Sequence, residues 1–201
     1  MKTNILTFAA LFTVATIIAV PASASTKKDN SGTVITEAAN FNKIEVRGNV
    51  EVYLTNGEAN SVKALNNYYG ESALVQNQNG TLRISSYGKD ALVVYITAAD
   101  LRSLSVYDNA VVKTGKDFST IDFDVNLFDN ASATLDLEAY NANITVNDRA
   151  KANLTGNVAN CDMQVNQSST LNSTNFVAEH ITKKVNGREV AVKSNQELAI
   201  I

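Results

Sequence analysis

Apolar residues recur at every second position in short bursts along most of the chain. Ile44 and Val46, then Val50, Val52 and Leu54, alternate with polar neighbours. Leu82 and Ile84 do the same after Asn79-Gly80, and Asn56-Gly57 marks an earlier turn. Ala91 to Thr97 is a more continuous apolar run, as expected of a strand covered on both faces. A period of two with turn residues between the bursts predicts β-strands throughout.

From Leu101 the pattern repeats. Leu104-Ser105-Val106-Tyr107-Asp108-Asn109-Ala110 is followed by Val125-Asn126-Leu127-Phe128-Asp129-Asn130-Ala131. Ile144-Thr145-Val146-Asn147-Asp148-Arg149-Ala150 comes next, then the degraded Met163-Gln164-Val165-Asn166-Gln167-Ser168-Ser169. The offsets are 21, 19 and 19 residues. In each copy the first and third positions face inward, a polar residue lies between them, and a turn leads to a small inward residue. Phe123, Ala142 and Cys161 share one inward position upstream, with Asp122, Asn141 and Asn160 as a corner before them.

A helix is excluded because the apolar spacing is 2, not 3.6. A fixed period near 20 points to stacked coils. Parallel stacking would place like residues on like, about 4.8 Å apart. The fold expected is therefore all-β, a single-stranded parallel β-helix (β-solenoid) with rungs of about 19–21 residues. Residues 41–100 would supply earlier rungs or an N-terminal cap. The tail from Phe176, with a hairpin at Asn186-Gly187, would cap the other end.

The first residues read differently. Lys2 precedes an apolar run from Ile5 to Val20, and Pro21, Ala22, Ser23 and Ala24 supply a break and a small-x-small cleavage site. This is the pattern of a secretory signal peptide cleaved near Ala24. No later stretch is long and apolar enough to span a membrane as a helix. The expected organisation is a signal peptide at 1–24, a flexible polar leader at 25–40, a β-solenoid domain at 41–175 and a cap or tail at 176–201.

Composition narrows the function. Loss of Lys2 takes the formal charge only from −3 to −4, and no basic patch exists to neutralise phosphates, so nucleic acid is not an expected partner. Cys161 is the only cysteine, so no internal disulfide can form. Asn occurs 25 times and the only Pro lies in the signal segment, which suits many short strands joined by tight turns.

An ordered set of segments carries a family resemblance. Phe41 to Val46 leads into Gly48-Asn49-Val50-Glu51-Val52-Tyr53-Leu54; Asn79 to Ile84, the strand Val93 to Thr97, Leu101 and Leu104 follow. Over residues 41–175 the chain resembles the head GIN domain of auto-transporter adhesins, exported proteins of Bacteroidetes. The resemblance implies a right-handed β-helix and carries no catalytic residues. The turns depart from the family's Gly- and Ser-rich pattern, being Asp-Asn-Ala here. No translocating barrel is expected to fit beside this domain in 201 residues.

Three groups carry candidate chemistry. Asp108, Asp129 and Asp148 would form a column, read either as a calcium ladder of hard oxygen ligands or as solvated turn residues. Tyr107 and Phe128 face outward on adjacent rungs, where they could meet sugar rings or a partner, or could pack across the rungs; Tyr68, Tyr69 and Tyr87 could extend that surface. Cys161 in an inward slot reads as a small buried hydrophobe, and one histidine, His180, leaves no Ser-His-Asp or multi-His design.

Two functions compete. One is a non-catalytic exported envelope or surface protein, an adhesin-like binding module with glycans or surface proteins as partners, periplasmic or extracellular. The other is a polysaccharide lyase or hydrolase, for which Asp129, Asp148 and Arg149 form the only local set. A structural coil stacking end to end is a further alternative. No cofactor is expected unless the Asp column takes calcium.

Overall fold

The alternation seen in the sequence becomes a sheet whose central strands close one face to water. The computed structural model describes residues 33–35, 40–65 and 73–191. Among these the strands are β1 (Thr33–Ile35), β2 (Lys43–Gly48), β3 (Val50–Asn56), β4 (Ser61–Leu65), β5 (Ala73–Gln78), β6 (Thr81–Ser86) and β7 (Leu92–Ala98). They continue as β8 (Ser103–Val106), β9 (Val111–Thr114), β10 (Phe118–Leu127), β11 (Ser132–Val146), β12 (Lys151–Val165), β13 (Thr170–Val185) and β14 (Arg188–Val190). The signal segment and the residues after Ala191 lie outside the described residues, as does most of the leader.

The expected single-stranded right-handed parallel β-helix is not what forms. All the strands belong to one mixed, curled sheet. β1 pairs β4, β4 pairs β7, β5 pairs β6 and β13 pairs β14, all antiparallel. The reason lies in the tight turns. Asn79 and Gly80 take φ of 52° and 75°, a turn that folds β6 straight back on β5. A tight two-residue turn of this kind joins antiparallel strands, whereas a parallel coil needs a long crossover. Asn186 and Gly187, at 51° and 75°, do the same between β13 and β14.

Parallel pairing holds in the middle of the sheet. β10, β11 and β12 lie side by side, with Val125 opposite Ile144 and Ile144 opposite Met163. Leu104 on β8 is opposite Val125, so the four copies of the repeat are direct neighbours. Each tier turns between two faces of the sheet. Tier order is not chain order: β2 lies between β6 and β8, and β3 lies between β7 and β9.

The core fills the inside of the curl. Val46, Val52, Leu54, Leu104, Val106, Val125, Leu127, Val146 and Leu135 are completely buried. Ala110, Ala131 and Ala150 follow the turns and are also completely buried. Each buried aliphatic side chain contributes about 1.5–3 kcal/mol, which replaces the missing disulfides as the source of stability. Ser169 takes the same inward place in the next tier, and its hydroxyl donates to the Asn166 carbonyl at 2.7 Å.

Candidate binding surface along the turn edge

The turns between the two faces line up along one edge of the sheet. Asp108, Asp129 and Asp148 occupy them with φ of 60°, 57° and 53°, the left-handed region that Asp and Asn tolerate better than other L-residues. Their carboxylates point along the edge to the preceding tier. Asp108 accepts the backbone N–H of Gly48 at 2.9 Å, Asp129 that of Asp108 at 3.1 Å, and Asp148 that of Asp129 at 3.0 Å. The column is thus a chain of side-chain caps, each neutralised in part by an amide dipole. Calcium needs six to eight oxygens converging on one point. Among the described residues no three His, Cys, Asp or Glu side chains gather closely enough to hold a metal ion.

Beside this column runs a second one. Arg47, Tyr107 and Phe128 follow each other across β2, β8 and β10 because Tyr107 N–H bonds to the Val46 carbonyl and Phe128 N–H to that of Val106. The Tyr107 and Phe128 rings stack with centroids 4.8 Å apart and planes 6° from parallel. The Arg47 guanidinium lies 3.7 Å from the Tyr107 centroid on the other side. Both faces of Tyr107 are therefore covered, while both aromatic side chains remain half-exposed. Tyr107 thus offers its ring edge outward. Tyr87 adds to the same edge: it is 68 % exposed, and its hydroxyl lies 3.5 Å from the Asp108 carboxylate. Tyr68 and Tyr69 lie outside the described residues.

Arg47 is held in place by Glu45, whose carboxylate accepts from it at 2.6 Å and from Arg83 at 3.2 Å. Burial pushes the Glu45 carboxyl up, but the two guanidinium groups outweigh it and keep the group below its ordinary range. The hydrogen bond to Glu45 correspondingly raises Arg47, despite opposing desolvation.

The opposite face repeats the arrangement. Tyr53 and Tyr95 stack at 5.0 Å and 13°, with the Lys113 ammonium 5.3 Å from the Tyr53 centroid. Glu51 accepts from Lys113 at 2.8 Å and from the Tyr53 hydroxyl at 2.7 Å, and these bonds hold its carboxyl below the usual range.

The residues nominated for hydrolytic chemistry do not face one another across a cleft. Asp129 and Asp148 are consecutive caps on the same edge, and Arg149 donates to the Asn130 side chain at 2.9 Å. Cys161 is buried, and burial followed by the nearby Asp162 charge pushes its thiol up to about 12. Such a thiol stays protonated at neutral pH and is a poor nucleophile.

Arg47 was not legible as part of this surface. It lies 60 residues before Tyr107 in the sequence, and only the displaced position of β2 next to β8 brings them together. Tyr53, Tyr95, Glu51 and Lys113 were likewise unforeseen. Their one sequence signal is the outward parity of Glu51 and Tyr53 on a strand whose other face is apolar.

The sequence profile described as "putative auto-transporter adhesin, head GIN domain" matches residues 40–201. The chain belongs to that family. Solved structures share the fold of this family member. A putative adhesin from Bacteroides fragilis is 16 % identical over 78 % of each chain, with a TM-score of 0.64. One from Parabacteroides merdae is 14 % identical over 74 % of each chain, with a TM-score of 0.56. A protein from Parabacteroides distasonis described as putative lipid binding is 12 % identical over 74 % of this chain and 76 % of its own, with a TM-score of 0.58. No curated protein matches the sequence. Among the described residues no helix is long and apolar enough to cross a membrane.

Proposed function

We propose that the chain is an exported, non-catalytic binding module of the cell envelope or surface, and that it meets its partner along the edge carrying Tyr87, Arg47, Tyr107 and Phe128. Membership of a family described as adhesins is the observation that carries this reading. The signal-like segment at 1–24 fits export. The edge supports it locally: two aromatic rings pre-stacked on a fixed guanidinium lose little side-chain entropy on binding, and aromatic and Arg side chains dominate the energetics of recognition surfaces. A protonated, buried thiol and carboxylates committed to backbone amides argue against the lyase or hydrolase alternative.

The test has two arms. Cell fractionation of the expressed full chain should place it in the envelope or medium, shortened near Ala24. The purified protein should then bind members of a panel of surface glycans and envelope proteins without changing them chemically. Retention in the cytoplasm, or turnover of a glycan, would overturn the reading.

A further inference from the structure

Asparagine is followed by glycine at 56–57, 79–80 and 186–187. In such a pair the glycine nitrogen can reach the asparagine side chain, because no Cβ stands in its way. The three pairs differ in what holds that side chain. Asn56 donates to the Ser119 carbonyl at 2.8 Å and accepts the Ser119 N–H at 2.7 Å. The Gly57 N–H beside it donates to the Ala98 carbonyl at 3.2 Å. Asn186 donates to the Gln167 side-chain oxygen at 3.2 Å and accepts the Gln167 N–H at 2.9 Å. Asn79 is exposed, and among the described residues neither its side chain nor the Gly80 N–H takes part in a hydrogen bond.

Backbone shape does not separate Asn79 from Asn186. Their φ angles are 52° and 51°, and the glycine after each is at 75°. Space is also alike. A Cβ on Gly80 would have only Asn42 Oδ1 near it, at 3.7 Å, and one on Gly187 would have nothing within 4 Å. Gly57 is different, since the Thr97 methyl group occupies the corresponding point. The two bonds to Gln167 are therefore what distinguishes Asn186 from Asn79, and Asn56 is held both by its bonds and by its neighbour.

We infer that Asn79 is a site of spontaneous covalent modification, at which the folded chain converts asparagine to isoaspartate and aspartate. The Gly80 nitrogen attacks Asn79 Cγ and a new C–N bond forms. The bond from Cγ to Nδ2 breaks, and ammonia leaves with the proton from the Gly80 nitrogen. The five-membered imide then takes up one water. Opening at one carbonyl gives aspartate; opening at the other gives isoaspartate, whose main chain runs through Cγ. Water is the only co-reactant, and nothing is oxidised or reduced. The isoaspartate form has a structural consequence. The Gly80 carbonyl accepts the N–H groups of Asn42 and Lys43 at 3.1 and 3.2 Å, which ties the β5–β6 turn to the start of β2. An extra main-chain carbon before Gly80 displaces that carbonyl. This site is independent of the turn edge and of the binding proposal.

The experiment is to age the purified protein in mildly alkaline buffer and follow each asparagine by peptide mass spectrometry, with isoaspartate and aspartate products separated by chromatography. Asn79 is expected to convert about tenfold faster than Asn186, which must give up two hydrogen bonds before its Cγ can meet the glycine nitrogen. Asn56 should be the slowest. Gln167→Ala removes one of the two bonds, so it should quicken Asn186 severalfold and leave Asn79 unchanged. In urea the three rates should converge, because the bonds that set them apart are gone. The aged protein, carrying isoaspartate, should melt below the Asn79→Asp variant, which keeps the main chain unaltered. Conversion of Asn186 or Asn56 as fast as Asn79 in the folded protein would overturn the inference. So would an Asn186 rate that Gln167→Ala does not change, or rates in urea that keep their folded order and spread.

Discussion

The Asp148 carboxylate accepts the backbone N–H of Asp129 at 3.0 Å, although 19 residues separate them in the chain. The bond ties one turn to the next, and Asp129 repeats it with Asp108, and Asp108 with Gly48. Each Asp has two tasks, a left-handed backbone and a cap for a neighbouring tier.

Asp129→Ala removes both, and should destabilise the protein by about 1–2 kcal/mol. Asp129→Asn keeps the backbone preference and an acceptor oxygen, and should cost less than half as much. Urea unfolding of the three proteins compares them. Equal losses in both variants would mean that the left-handed preference and a neutral acceptor contribute nothing, and that the charge of the carboxylate carries the whole effect.

Calcium should leave the melting temperature unchanged up to millimolar concentrations, because the three carboxylates point along the column and do not converge. A rise with added calcium would show a cation site at the turns.

Cys161 should resist thiol reagents in the native protein and react at once in denaturant. Its thiol is buried and pushed up to about 12. Rapid native labelling would place it at the surface.

Acid should expose the role of Glu45 and Glu51. Both carboxyls sit below their ordinary range in the folded protein. Their contribution is present above the unfolded value and is lost as pH falls through the folded one. Glu45→Gln should therefore destabilise by about 0.5 kcal/mol at pH 7, since its partners are half-exposed. The difference should shrink as pH falls below the ordinary carboxylate range and vanish once the wild-type group, like the variant's, is uncharged in both states. A difference that persists in acid would assign the loss to packing.

The sequence showed the strands and the repeat because burial on one face imposes a period of two, and stacking imposes the recurrence of residue class. Leu104, Val125, Ile144 and Met163 are neighbours for that reason. The mixed character of the sheet was less visible. Asn79-Gly80 signals a turn, but whether the returning strand pairs with its predecessor depends on partners elsewhere in the chain. The displacement of β2 to a place between β6 and β8 has no local signal at all. That displacement is what sets Arg47 on Tyr107, so the aromatic pair could be named from sequence and its cation could not. The Asp column was visible as a column. Its direction, along the edge toward backbone amides, is set by the stacking of the tiers and has no local signal.

The most direct test of the binding proposal is titration of wild-type protein and the double variant Tyr107→Ala with Phe128→Ala against whichever panel glycan or envelope protein the wild type retains. Loss of the stack should cost about 1 kcal/mol of stability and leave the melt cooperative. Affinity should be at least tenfold lower in the double variant if the edge is the binding surface. Affinity that is unchanged in a folded double variant would contradict it.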